Sequence, residues 1–306
     1  MEDRAALAAE AVQAPEENMP VAGLAGLRRV IVGFDERPAS RDALALGKAL
    51  CEKTAAELIV ASVRAYWPEL IGPGDYARVV AEDEAWLSRE ATKVLGTQPF
   101  STHVIAGGHE TGGLKEIAAG ENADLIVLGS THRGRLGRVL PGSVGERVLN
   151  NSPCAVAIAP RGLADSKFQL GQIAIAYDGS KEAGVALNLA IELAERAGAS
   201  LHVLGAVPLE IETTGLSPNN WDEIEVERMR RHLGRAKAMV PTHLEVETSL
   251  LRGAPNHVIV EAAEGSDLLV LGSRGHYGPA RRLFLGCVAT QVTRNAPCAT
   301  LITPAA

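Results

Sequence analysis

Short runs of β-branched and other apolar residues alternate along the chain with longer stretches whose apolar positions recur at helical spacing. Val30 to Phe34, Glu57 to Val63, Phe100 to Ala106, Leu125 to Leu128 and Ala155 to Ala159 predict five strands. Ile173 to Tyr177, Ser200 to Val207, His243 to Leu251, Leu268 to Leu271 and Ala299 to Ile302 predict five more. Several are apolar throughout, the pattern of strands covered on both faces. Pro38 to Leu50 predicts a helix. Val226, Met229, Leu233, Ala236 and Val240 recur at helical spacing, which reads as a face packed on the core. Strand and helix in alternation predict an α/β protein with doubly wound, mostly parallel sheets.

The pattern occurs twice. Ala123 to Pro160 reads against Ser266 to Pro304, with Asp124 and Gly129 matching Asp267 and Gly272, each 143 positions on. Further along the offset is 144, pairing Gly142 with Gly286 and Cys154 with Cys298. Arg29 to Asp35 opens the first copy and Gln172 to Asp178 the second. A repeat of this length predicts two similar domains, 27–161 and 168–304, and the 306-residue length suits two cores. Arg161 to Lys167, polar and containing a Gly, reads as the linker. Residues 1–26 mix Ala with five acidic side chains and lack the basic-then-apolar order of a secretory signal, so they read as a mobile leader.

Composition narrows the function classes. The chain is 46% hydrophobic, the content of a packed globule, and no apolar run approaches the roughly 18 residues of a membrane span. Its net charge of -7 offers no general attraction to nucleic acid or anionic membrane. Cys51, Cys154, Cys287 and Cys298 are far apart and form no CxxC pair, which fits a reducing cytoplasm better than a zinc or disulfide framework.

Candidate chemistry gathers after the fourth strand of each half. A Gly- and Arg-rich loop runs from Gly129 to Gly142-Ser143, just before a helical run carrying Val144, Val148 and Leu149. A helix N-terminus presents unpaired N–H groups and partial positive charge, so Gly142-Ser143 can hold phosphate oxygens; equally, Ser143 can simply cap the helix. In an open α/β sheet, ligands bind at the carboxyl ends of strands where the strand order reverses. Asp35 ends the first strand there, able to bond a base or ribose, to help hold a divalent cation, or merely to close the turn before the next helix. Arg133, Arg135 and Arg138, with Arg274, Arg281 and Arg282 in the second copy, either neutralise a polyphosphate or form a solvated face.

These residues resemble the universal stress protein family, whose ATP motif is Gly, two residues, Gly, nine residues, then Gly followed by Ser or Thr. The resemblance also rests on the opening Asp, the Asp-Leu-Ile/Leu-Val-Leu-Gly-Ser run and the Pro-Cys before the last strand. It implies two Rossmann-like domains of the HUP type, each a five-stranded sheet of order 3-2-1-4-5 with helices on both faces. It implies that the last strands pair the two halves edge to edge, with a homo-oligomer also open. The implied ligand is ATP or a related adenine nucleotide, with or without Mg²⁺, and the implied contacts are Asp35, Val63, Gly129, His132, Gly142 and Ser143. Their counterparts in the second half are Asp178, Gly272, Gly275, Gly286 and Cys287. Neither copy is complete: His132 stands where the first motif expects Gly, while Gly286 comes one residue late and is followed by a thiol.

No GxxxxGK[ST], GxGxxG after a first strand, or GxSxG elbow occurs, so a P-loop ATPase, a dinucleotide dehydrogenase and an α/β-hydrolase lack their motifs. Cys287 begins a helix, where a thiolate is favoured, but no His–acid pair stands beside it in sequence. The expectation is a cytoplasmic, stress-related nucleotide sensor with little or no hydrolysis. A nucleotide-free tandem scaffold and a slow ATPase are the alternatives.

Overall fold

The computed structural model describes residues 26–64, 73–106, 110–131, 136–150, 152–208, 221–273 and 286–304. His132, Gly275, His276 and the arginines at 133, 135, 274, 281 and 282 lie outside them. The first half runs β1 (Arg29–Gly33), α1 (Pro38–Thr54), β2 (Glu57–Arg64), α2 (Pro73–Leu95), β3 (Ser101–Ala106), α3 (Glu110–Gly120), β4 (Leu125–Gly129), α4 (Ser143–Leu149) and β5 (Ala155–Ala159). The second repeats it with β6 (Gln172–Ala176), α5 (Lys181–Ala197), β7 (Ser200–Val207), α6 (Trp221–Met239), β8 (Val246–Arg252), α7 (Pro255–Ala262), β9 (Leu268–Gly272), α8 (Cys287–Asn295) and β10 (Ala299–Thr303).

The strands lie in the order β3-β2-β1-β4-β5-β10-β9-β6-β7-β8, so each half has the order 3-2-1-4-5. All pairs are parallel except β5 with β10, which meet antiparallel with Ala157 opposite Leu301. Those two residues are repeat equivalents, so the seam lies on a local twofold relation, each half offering the same edge to the other.

Successive side chains of a strand point to opposite faces, and the buried strands feed two cores. Val30 and Val32 pack in the layer of α1, α2, α5 and α6, while Ile31 between them packs with α3, α4, α7 and α8. Both layers run across the seam. The stripe on α6 is core: Val226, Met229, Leu233 and Ala236, with Val240 beyond the helix end, are all buried. Each of these Val, Leu and Met side chains contributes roughly 1.5–3 kcal/mol relative to exposure.

One local expectation needs correction. The strand predicted from His243 starts at Val246, because Leu244 N–H donates to Pro241 O and turns the chain first. The linker is docked: the buried Asp42 carboxylate accepts Gly162 N–H and Ala164 N–H, both at 2.9 Å, and Leu163 is buried in a short 3-10 turn. Polar composition there reflects this capping by α1.

Asp124 and Asp267 perform one job in both halves. Asp124 Oδ2 accepts Arg28 N–H and Arg29 N–H at 2.9 Å, and Asp267 Oδ2 accepts Gly171 N–H and Gln172 N–H at 2.8 and 2.9 Å. Each carboxylate clips the entry of the central strand to the strand beside it.

Candidate functional site

A cavity of about 670 Å³ opens in the first half at the carboxyl ends of β1 and β4. The chain leaves β1 toward β2 on one side, and β4 comes to lie on the other, which parts the connecting helices and leaves a crevice. Ala61, Val63, Leu114 and Leu128 give it apolar walls; Asp35, Ser40, Ser130, Thr131 and Ser143 add polar groups. Five of the residues singled out in the sequence, Asp35, Val63, Gly129, Gly142 and Ser143, therefore border one space.

The two glycines of that loop are there for different physical reasons. A Cβ on Gly129 would stand 1.9 Å from Ala39 O, so the end of β4 passes against the first turn of α1 only without a side chain. Gly129 is demanded by packing whether or not anything binds. Among the described residues, a Cβ on Gly142 would meet only Thr131 Cβ, at 3.8 Å, and its φ of -80° suits any residue. Packing does not ask for glycine at 142.

Gly142 is also the N-cap of α4 and provides no side-chain cap, while Ser143 is exposed as the first helical residue. The capping role open to Ser143 in sequence is thus not the one it takes. Its position leaves the first amides of α4 at the cavity wall. The stem of the loop is closed by Thr131 N–H to Leu140 O (2.8 Å) and Leu140 N–H to Ser130 Oγ (3.1 Å).

Asp35 combines two of its sequence readings. Its Oδ1 accepts Arg37 N–H (2.8 Å) and the Ser40 hydroxyl (2.6 Å), which fixes the turn into α1, and the same side chain borders the cavity. Arg138 points elsewhere: its guanidinium donates to Glu264 Oε1 at 2.7 Å and to Asn295 O at 3.4 Å, both in the second half. Sequence reasoning missed Ser40, Thr131 and Ala61. Ala61 was reachable, because it lies two residues before Val63 on the same face of one strand.

The second half arranges the matching residues differently. Asp178 Oδ1 accepts Ser180 N–H at 2.9 Å, as Asp35 Oδ1 accepts Arg37 N–H, but Ser180 Oγ then accepts Ala183 N–H at 3.1 Å, a helix cap that α1 lacks. Gly179 takes a φ of 81°, with the His232 ring 2.2 Å from where its Cβ would be, so this turn is covered by a side chain of α6. A Cβ on Gly272 would lie 2.8 Å from the Glu182 carbonyl carbon, the counterpart of the Gly129 approach. Gly286 N–H donates to Ser273 O, and Cys287 is exposed at the start of α8, where Gln291 Nε2 donates to its sulfur at 3.4 Å.

The model of the universal stress protein family matches residues 26–160 and again 170–304. The chain belongs to that family. Among curated relatives, the universal stress protein Rv2319c of Mycobacterium tuberculosis is 27% identical over 295 residues, spanning 90% of this chain and 99% of the relative. A universal stress protein of Mycolicibacterium smegmatis is 28% identical over 260 residues, 78% and 82% of the two chains. The fold is that of a universal stress protein structure from Archaeoglobus fulgidus, with a TM-score of 0.60 at 22% identity over 90% of this chain and 96% of that one. A Pseudomonas aeruginosa protein gives 0.64 at 17%, over 91% and 92%. Both structures share the fold over both halves of this chain.

Proposed function

We propose that this universal stress protein is a cytoplasmic regulatory protein whose first half binds ATP or a related adenine nucleotide, with little or no hydrolysis. The observation that carries the reading is Gly142, a glycine that packing among the described residues does not require, at a helix start without a side-chain cap, on the wall of a cavity at the switch point. Without a Cβ, phosphate oxygens can approach the amides of α4 closely. The cavity volume lies within the roughly 300–1,000 Å³ of small-molecule sites, and its apolar walls suit a purine. Among the described residues no group of three or more metal-ligating side chains gathers, so Mg²⁺ would arrive with the phosphates, with Asp35 the carboxylate on the wall. No helix among the described residues is long and apolar enough to cross a membrane.

A second reading applies to the second half alone, as a nucleotide-free scaffold paired to the first through the last strands. His232 over Gly179, and a thiol where the first half has Ser143, support it. Titration calorimetry of the nucleotide-stripped protein with ATP and Mg²⁺ tests both. Saturable heat is expected for the natural chain and for Gly286→Glu, and none for Gly142→Glu, whose ordinary backbone leaves the fold intact. An absence of heat with the natural chain would sink the nucleotide reading.

A further inference from the structure

The return limb of the cavity loop, Arg138 to Pro141, is held from outside its own half. Val139 N–H donates to Ala296 O at 3.0 Å, at the end of α8. Arg138 spans to Glu264 and to Asn295 O. The Val139 side chain is buried in the same apolar cluster as Val292 and Ala296. On α4, Glu146 Oε1 accepts from both Nε and Nη2 of Arg294, at 3.1 and 2.8 Å. The next residues along the limb, Leu140, Pro141 and Gly142, line the cavity. Within the first half the limb is tied by Thr131 N–H to Leu140 O and by Gly137 N–H to Arg161 O. The segment that sets the position of Gly142 thus has one anchor row in each half.

We infer that the second half is a positioning element for the first half's cavity: Glu264 and the Ala296 carbonyl fix the return limb through Arg138 and Val139, so that docking of the halves and occupancy of the cavity are coupled. This rests on the nucleotide reading only for the ligand's identity. Coupling runs both ways, so a ligand that tightens the limb also tightens the seam. The scaffold half then has a reason to be retained without a ligand of its own.

The test uses the full chain in three forms: natural, Glu264→Arg, and Arg138→Glu combined with Glu264→Arg. Amide hydrogen exchange at Val139 and Leu140 is read without ligand, ATP affinity is read with Mg²⁺, and the melting temperature checks the global fold. The single change sets two cations against each other; exchange at both amides should quicken, and ATP affinity weaken, each about threefold, the scale of a part-exposed ion pair. The exchanged pair should restore most of both, only the weak 3.4 Å bond to Asn295 O staying lost, with melting unchanged throughout. Unaltered exchange in Glu264→Arg, or a change that the exchanged pair does not reverse, overturns the inference. If the natural chain takes up no ATP, the nucleotide reading falls by itself, and the exchange rates still decide whether the second half holds the limb.

Discussion

Asp35 and Asp178 close equivalent strands, β1 and β6, but the turns beyond them are built differently. After Asp35 the chain enters α1 through Pro38 with no side-chain cap, and Ser40 turns its hydroxyl onto the Asp35 carboxylate beside the cavity. After Asp178, Gly179 lies under His232 and Ser180 caps α5. One half directs its turn residues toward an open crevice, the other toward closing the turn. Between two copies of one sequence pattern, features that both copies keep with the same contacts belong to the fold, and those that diverge mark the site. Gly129 with Gly272, and Asp124 with Asp267, fall in the first group; Ser143 against Cys287, each after an uncapped glycine at the helix start, falls in the second.

The largest predicted contrast is in thiol chemistry. Burial pushes the thiols of Cys51, Cys154 and Cys298 up from 9.0 to about 12, whereas Cys287 is exposed at a helix start. A rise of that size lowers the thiolate fraction about a thousandfold at any pH below the ordinary value. A chromogenic disulfide reagent at pH 8 should therefore titrate one thiol per folded chain and four after unfolding. Two or more fast thiols would break the distinction. The same shifts carry a sign for stability. The folded state holds these protons more tightly, so their contribution is complete below about pH 9 and is lost as the pH rises from 9 toward 12.

Next in size is the strand-to-helix approach. Gly129→Ala forces a Cβ into the Ala39 carbonyl and should cost about 3 kcal/mol, and Gly272→Ala, with its longer approach to Glu182, about 1.5 kcal/mol. Urea unfolding of the two variants gives the order directly; equal losses would mean that the two strand ends relax alike.

The clips should behave as equals. Asp124→Ala and Asp267→Ala each leave two backbone N–H groups without a carboxylate and should each cost about 2 kcal/mol in the same measurement. A clear difference between them would remove the argument that shared contacts mark the fold.

How much of this the sequence disclosed depended on distance along the chain. The central strands were readable because burial on both faces makes them apolar throughout; of the ten, only β8 was misplaced at its start by more than one residue, where Pro241 turns the chain. The order 3-2-1-4-5 came with the family resemblance, since periodicity identifies strands without saying which are neighbours. Asp35, Gly129, Gly142 and Ser143 were visible as residue types at a strand end and a helix start, but their reasons were not. The contact that makes glycine necessary at 129 comes from Ala39 in another element, and the partner that turns Arg138 away from the cavity is Glu264 in the other half. A cation in a Gly-rich loop looks the same in sequence whether it faces a phosphate or a carboxylate across a domain seam.

The smallest contrast sharpens the comparison most, because it separates two ways of beginning equivalent helices. Ser180→Ala removes the hydroxyl that accepts Ala183 N–H and should cost about 1 kcal/mol. Ser40→Ala gives up two bonds, its hydroxyl to the Asp35 carboxylate and the Asp35 N–H to its Oγ, and should cost about 1 kcal/mol. It also frees that carboxylate to rotate, so a further effect should appear as weaker ATP binding in calorimetry. A Ser40 variant that lost stability as Ser180→Ala does, with no change in binding, would place its hydroxyl in the service of the helix and make the two starts alike after all.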